Sequence, residues 1–94
     1  MKVNKEQALC ALDEAIEGIK LNINNPDYNK QELVQYLKIM ELMKAHVLSN
    51  SVPESEADRD FGAGRQIMDS WEFQDRLGQC IVTAEQFYKV YDEE

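Results

Sequence analysis

Gly62-Ala63-Gly64-Arg65 is the stretch whose residue types come nearest to ligand chemistry. Two glycines ahead of an apolar helix can bare backbone amides to an anion, and a flanking guanidinium can pair with it. With Arg59 to close over it, Arg59, Gly62, Gly64 and Arg65 form a candidate pocket for an anionic nucleotide or phosphate. The pattern lacks the Lys-Ser/Thr of a P-loop and any preceding strand, and a hinge or a close helix crossing calls for the same glycines. Asp60-Phe61-Gly62 carries the letters of the kinase metal-binding triplet on a chain far too short for that fold.

The other reactive side chains are isolated. General acid–base or metal chemistry needs a histidine faced by a carboxylate or second ligand at helical spacing. His46, the single histidine, has Met43 and Val47 as neighbours and reads as a surface or boundary residue. Cys10 and Cys80 have no second Cys or His at ligand spacing, which leaves no zinc knuckle or redox pair; both read as buried or half-buried thiols. Glu54, Glu56, Asp58, Asp60 and Asp69 are the densest carboxylates, but without EF-hand spacing they read as a solvated acidic edge. No nucleophile–base pair is nominated, so the chain is expected to be no enzyme and to use no cofactor or metal.

Charge bounds the partners. Eighteen acidic residues against ten basic ones give a net charge of −8, which argues against direct nucleic-acid binding because phosphate contacts need clustered Lys and Arg. The same charge steers encounters with a basic protein partner, and it also serves plain solubility. No apolar run approaches the roughly 20 residues of a membrane span, and the amino terminus lacks a basic-then-apolar signal. A cytoplasmic location without membrane contact is expected.

A chain of 94 residues makes one domain that buries about two thirds of its unfolded surface. Asn4 and Gln7 form a capping-box pattern, and Leu9, Leu12, Ile16, Ile19 and Ile23 step along one face, so a first helix is expected over 5–24, ended by Asn25-Pro26. Asn29 and Glu32 repeat the pattern ahead of Leu33, Tyr36, Leu37, Met40, Met43 and Val47, a second helix over 30–48 that returns antiparallel. Ile39 and Leu42 widen its apolar surface, as suits a helix sandwiched between two neighbours. A loop over 49–64 follows, with room for a short helical segment at Glu54 to Phe61. Phe73, Leu77, Cys80, Ala84, Phe87 and Tyr91, with Ile81 and Tyr88 beside them, then predict a long last helix over 65–92. Breaks at Gly78 or near Thr83, where Thr83 to Gln86 could cap afresh, stay open, as does a strand at Gln79 to Thr83. The expected fold is all-α: an up-down-up bundle of three main helices with a short fourth segment.

Tyr88 and Asp92 make a tyrosine–three residues–acid tail that resembles the export signal of type VII secretion substrates. Those helical hairpins also carry a Trp-x-Gly turn, whereas Trp71 is followed by Glu72 and Phe73, so the resemblance stops at five residues and assigns no family. Of the aromatic residues, Phe73, Phe87 and Trp71 suit the core. Tyr88 and Tyr91 suit an interface, as does Trp71 if exposed. The expected function is to occupy a basic surface of another macromolecule, as an inhibitor, immunity or anti-defence protein or a regulatory adaptor does. Asp58, Asp60, Trp71, Tyr88, Tyr91 and Asp92 are the candidate partner-binding residues. A homodimer or larger homo-oligomer through the last helix is expected, because an unbroken last helix would overhang its neighbours and pair with a second copy; a structural or oligomerisation module is the remaining alternative function.

Overall fold

Asn4 opens the first helix through reciprocal hydrogen bonds: its side-chain oxygen accepts from Gln7 N at 2.8 Å, and the Gln7 side chain accepts from Asn4 N at 3.1 Å. In the computed structural model, which describes residues 3–55, 57–72 and 75–91, helix α1 runs Lys5–Asn22. Its inner face carries Ala8, Leu12, Ala15 and Ile19, all fully buried. The end comes two residues before Asn24, because the Asn22 side chain donates to Gly18 O and Asn25 Oδ1 accepts from Asp27 N, which turns the chain ahead of Asp27.

Helix α2 spans Lys30–Leu48, the expected range, with Asn29 accepting from Glu32 N at 3.0 Å. It ends in a Schellman motif: Asn50 takes a left-handed φ of 54°, its N–H reaches Val47 O, and Ser51 N–H reaches His46 O. Buried Val52 anchors the loop that leaves it. The short segment expected at 54–61 is a 3₁₀ turn, Ala57–Arg59.

The last helix is divided, and not where either glycine or threonine suggested. Helix α3 covers Ala63–Ser70 and α4 covers Arg76–Val90. Trp71 is already extended, with φ −99° and ψ 158°, and Asp75 starts α4 by accepting from Gly78 N at 2.8 Å. Residues 79–83 are helical throughout, so the strand alternative falls. The all-α bundle of three long helices and a short fourth stands, but the overhang invoked for pairing with a second copy is absent, since α4 is about 22 Å long.

Contacts along the helices fix their directions. Val3 bridges Tyr91, and the Gly18 backbone approaches Leu77, so α4 runs antiparallel to α1. Glu32 meets Trp71 and His46 meets Tyr88, which sets α4 alongside α2 in the same direction. The up-down-up order is completed by α3, and α4 turns back down.

Helix α1, not α2, takes the middle position between α2 and α4, and α4 touches all three other helices. Leu42 is accordingly 45% exposed. The buried face of α4 is Leu77, Gly78, Ile81, Ala84, Glu85 and Tyr88. This stripe is rotated from the expected one, leaving Cys80 and Phe87 half-buried, because α4 must face α1, α2 and α3 at once. Cys10 is exposed on the outer side of α1, contrary to its expected burial. Phe73, expected in the core, lies outside the described residues.

Candidate functional site

The amides that were to capture an anion already hold one, supplied by the chain itself. Glu85, 3% exposed, reaches from α4 to the start of α3, where Oε2 accepts from Ala63 N at 3.1 Å and Oε1 from Gly64 N at 3.0 Å. A helix amino terminus favours negative charge, and here a carboxylate fills it. A Cβ on Gly64 would stand 2.9 Å from Glu85 Oε1, so that glycine makes room for a side chain rather than for a ligand. Gly62 is needed for its left-handed φ of 75°. Lys89 Nζ lies 3.8 Å from Glu85 Oε1 and 3.5 Å from Asp60 Oδ1, adding a positive charge beside both.

Arg59 is committed too. Its Nη1 donates to Tyr88 O, Lys89 O and Tyr91 O at 3.3, 3.2 and 2.6 Å, closing the carboxyl end of α4, while Nε donates to Pro53 O. Arg65 is exposed on α3. The nucleotide or phosphate pocket of Arg59, Gly62, Gly64 and Arg65 is therefore overturned: its amides and its covering guanidinium are both used by the fold.

The partner-binding candidates do not form one patch. Tyr88 is fully buried and Tyr91 is 4% exposed, so neither is an interface anchor. The Tyr88 hydroxyl, expected to stay wet, lies 2.8 Å from His46 Nδ1 and finds its polar partner inside the bundle. Asp58 and Asp60 are exposed. The Gly62 N–H at 2.9 Å, and then the Lys89 ammonium, hold the Asp60 carboxyl below the usual aspartate range. Asp92 lies outside the described residues. Among the described residues no three His, Cys, Asp or Glu side chains gather as metal ligands.

Among the described candidates Trp71 alone is both accessible and set in a concave surface. It is half-buried at the corner where α3 ends, packed edge-on against Tyr36 with ring centres 5.8 Å apart and tilted on Tyr28 at 5.2 Å. Its Nε1 donates to Glu32 Oε1 at 2.7 Å, and the Tyr36 hydroxyl donates to the same oxygen at 3.0 Å. The Tyr28 hydroxyl donates to Asp75 Oδ2 at 2.8 Å. Burial, then the Asp75 hydrogen bond, push the Tyr28 pKa up to about 12. Burial and the bond to Glu32 raise Tyr36 beyond the ordinary tyrosine range.

On one side of Trp71 an apolar groove of about 300 Å³ runs between α3 and α4, walled by Ile67, Met68, Gly78 and Val82. Met68 is 74% exposed there. On the other side a polar pocket of about 590 Å³ is lined by Asp27, Tyr28, Glu72 and Asp75. Trp71, Glu72 and Asp75 border both, and among the described residues no Lys or Arg lines either one. Arg76 lines a separate pocket with Glu14 and Cys80. The arrangement offers apolar area, aromatic rings and carboxylates with no basic side chain in the lining side by side, which suits holding a cation attached to an apolar body.

No protein-family model matches this chain, and no curated protein is significantly similar to it. No helix among the described residues is long and apolar enough to cross a membrane.

Sequence reasoning named Trp71 and missed Tyr28, Glu72, Asp75 and Met68 as its surroundings. The signal available was Asp75 three residues before Gly78, an N-cap that would have ended the preceding helix at Trp71.

Proposed function

We propose that the protein is a non-enzymatic binding protein that occupies a basic surface of another protein, in the manner of an inhibitor, an immunity or anti-defence protein, or a regulatory adaptor. The observation that supports this reading is the half-exposed Trp71 between an apolar groove and a carboxylate-lined pocket without a basic side chain. Aromatic side chains at the centre of a patch supply most of a binding energy, and charge around them sets partner choice and encounter rate. A net charge of −8 extends the same preference over the whole surface.

The outer face of α1 is also acidic, with Glu6, Asp13, Glu14 and Glu17. It is a weaker candidate, because Lys5 lies among these residues, Lys44 pairs with Asp13 at 2.6 Å, and no aromatic residue stands there. Affinity capture from the native host, wild type against Asp27→Asn/Glu72→Gln, tests the reading. A basic protein held by the wild type, released by salt and not held by the variant, supports it. Recovery of a bound small molecule with no protein partner overturns it.

A further inference from the structure

We propose that Trp71 divides a two-part docking site for a basic segment of a partner protein: an apolar side chain enters the groove of Ile67, Met68, Gly78 and Val82, and a nearby Lys or Arg enters the carboxylate pocket, its cation against Tyr28 and Trp71. This rests on the protein-binding reading above and adds what the partner must present.

Charge complementarity selects the occupant. Asp27, Glu72 and Asp75 edge the polar pocket, a setting that repels nucleic-acid phosphates and anionic lipid headgroups and attracts ammonium or guanidinium groups. A cation within about 6 Å of the Trp71 or Tyr28 ring centre gains further attraction from the ring faces. Both rings are held in place, Trp71 by Glu32 and Tyr28 by Asp75, so binding orders little that is not already ordered. A free small cation would fill the polar pocket and leave the groove, with Met68 at 74% exposure, in water. A peptide segment covers both.

Spacing follows from the shared wall. Because Trp71, Glu72 and Asp75 border both compartments, the two side chains come from positions close in the partner's sequence. Two residues of extended chain span about 7 Å and present both side chains on one side of the segment. The motif is an apolar residue two positions from a Lys or Arg.

Trp71 is the single tryptophan, so one indole resonance reports on the site. The full-length ¹⁵N-labelled protein is titrated with acetyl-Gly-Leu-Gly-Lys-Gly-amide, and in parallel with peptides carrying Ser for Leu or norleucine for Lys. The expected result is a saturable shift of the Trp71 Nε1–H signal and of the Glu72, Gly78 and Gln79 amides. Dissociation constants should be about tenfold weaker for either altered peptide. Met68→Ser should abolish the advantage of Leu over Ser, and Asp27→Asn/Glu72→Gln the advantage of Lys over norleucine and its salt dependence. These substitutions change exposed residues, and a thermal melt of each variant checks that the fold is kept.

Equal binding of all three peptides, shifts centred away from the α3–α4 edge, or no saturable shift at millimolar peptide would each overturn the proposal. So would a Trp71 shift that grows with protein concentration alone, which would make a second copy of this chain the occupant. If the host partner is captured in an Asp27- and Glu72-dependent way while the peptides fail, this inference falls and the protein-binding reading stands; if no partner is captured, the reading itself falls.

Discussion

Replacing Glu85 by glutamine removes the charge from a carboxylate that joins α4 to α3. In the native chain it accepts from Ala63 N at 3.1 Å and Gly64 N at 3.0 Å, inside the bundle at 3% exposure. The amide keeps one acceptor oxygen and sets its NH₂ group against a backbone N–H, donor facing donor. One charge-assisted hydrogen bond is lost, another is weakened to a neutral one, and the favourable charge at the α3 amino terminus goes with them. A hydrogen bond to a charged group contributes about 1.5–3 kcal/mol and the helix-terminus charge about 0.3–1 kcal/mol, so the net loss is placed at about 2–3 kcal/mol. For a domain of this size that lowers the melting temperature by roughly 10–20 °C. Urea denaturation should show a lower midpoint with an unchanged m value. Gly64→Ala carries a linked expectation: its Cβ would stand 2.9 Å from Glu85 Oε1, so it is harmful in the wild type and neutral or better in a Glu85→Ala background. A Glu85→Gln loss below about 0.5 kcal/mol, within the range of ordinary surface changes, would refute the internal-anion account.

Gly78→Ala gains about 1 kcal/mol of helix propensity but places a Cβ 3.0 Å from Trp71 Cε3 and 3.1 Å from Ile67 Cγ2, and such overpacking costs about 1–3 kcal/mol. A modest loss of stability with altered Trp71 emission is expected, and unchanged emission counts against the packing described. Arg59→Ala frees the last carbonyls of α4 and should cost about 2–3 kcal/mol by urea denaturation, with Arg59→Lys restoring less than half because Nε and Nη1 serve different carbonyls; full rescue by lysine would deny the guanidinium its role. Tyr28 holds its proton up to about 12 in the fold against 10.0 when unfolded. Its contribution is therefore complete below pH 10 and lost as pH rises from 10 to about 12, so the urea midpoint should fall across that window, less steeply in Tyr28→Phe. An identical decline in that variant would remove Tyr28 from the account.

The two helices of the opening hairpin were legible because their caps and stripes are local. Asn4 with Gln7 and Asn29 with its α2 amide behave as their spacing requires. Glu32 marks where local reading stops: its side chain accepts hydrogen bonds from the Tyr36 hydroxyl and the Trp71 indole N–H instead of turning back to Asn29, because partners 4 and 39 residues away hold it more strongly than the cap. The division of the last helix was hidden by periodicity that continues on both sides of it, since apolar spacing says which face is buried and little about where a helix ends. Glu85 was invisible for a related reason. A glutamate between Ala84 and Gln86 reads as solvent-facing until α3 folds back and offers its bare amides. The candidate site joins the start of α2, the end of α3 and the start of α4, so of its members only Trp71, conspicuous by its size, stands out in the sequence, with Asp75 marked there solely as a cap ahead of Gly78.

Docking of a basic partner against Trp71 is open to test in a single spectrum. With 5-fluorotryptophan incorporated, Trp71 gives the one fluorine resonance of the protein, which is then observed in clarified lysate of the native host. This resonance is expected to shift or broaden in lysate, to return to its free position on raising the salt, and to stay at the free position in Asp27→Asn/Glu72→Gln. A wild-type resonance that keeps its free position and the variant's line width at every salt concentration would contradict it.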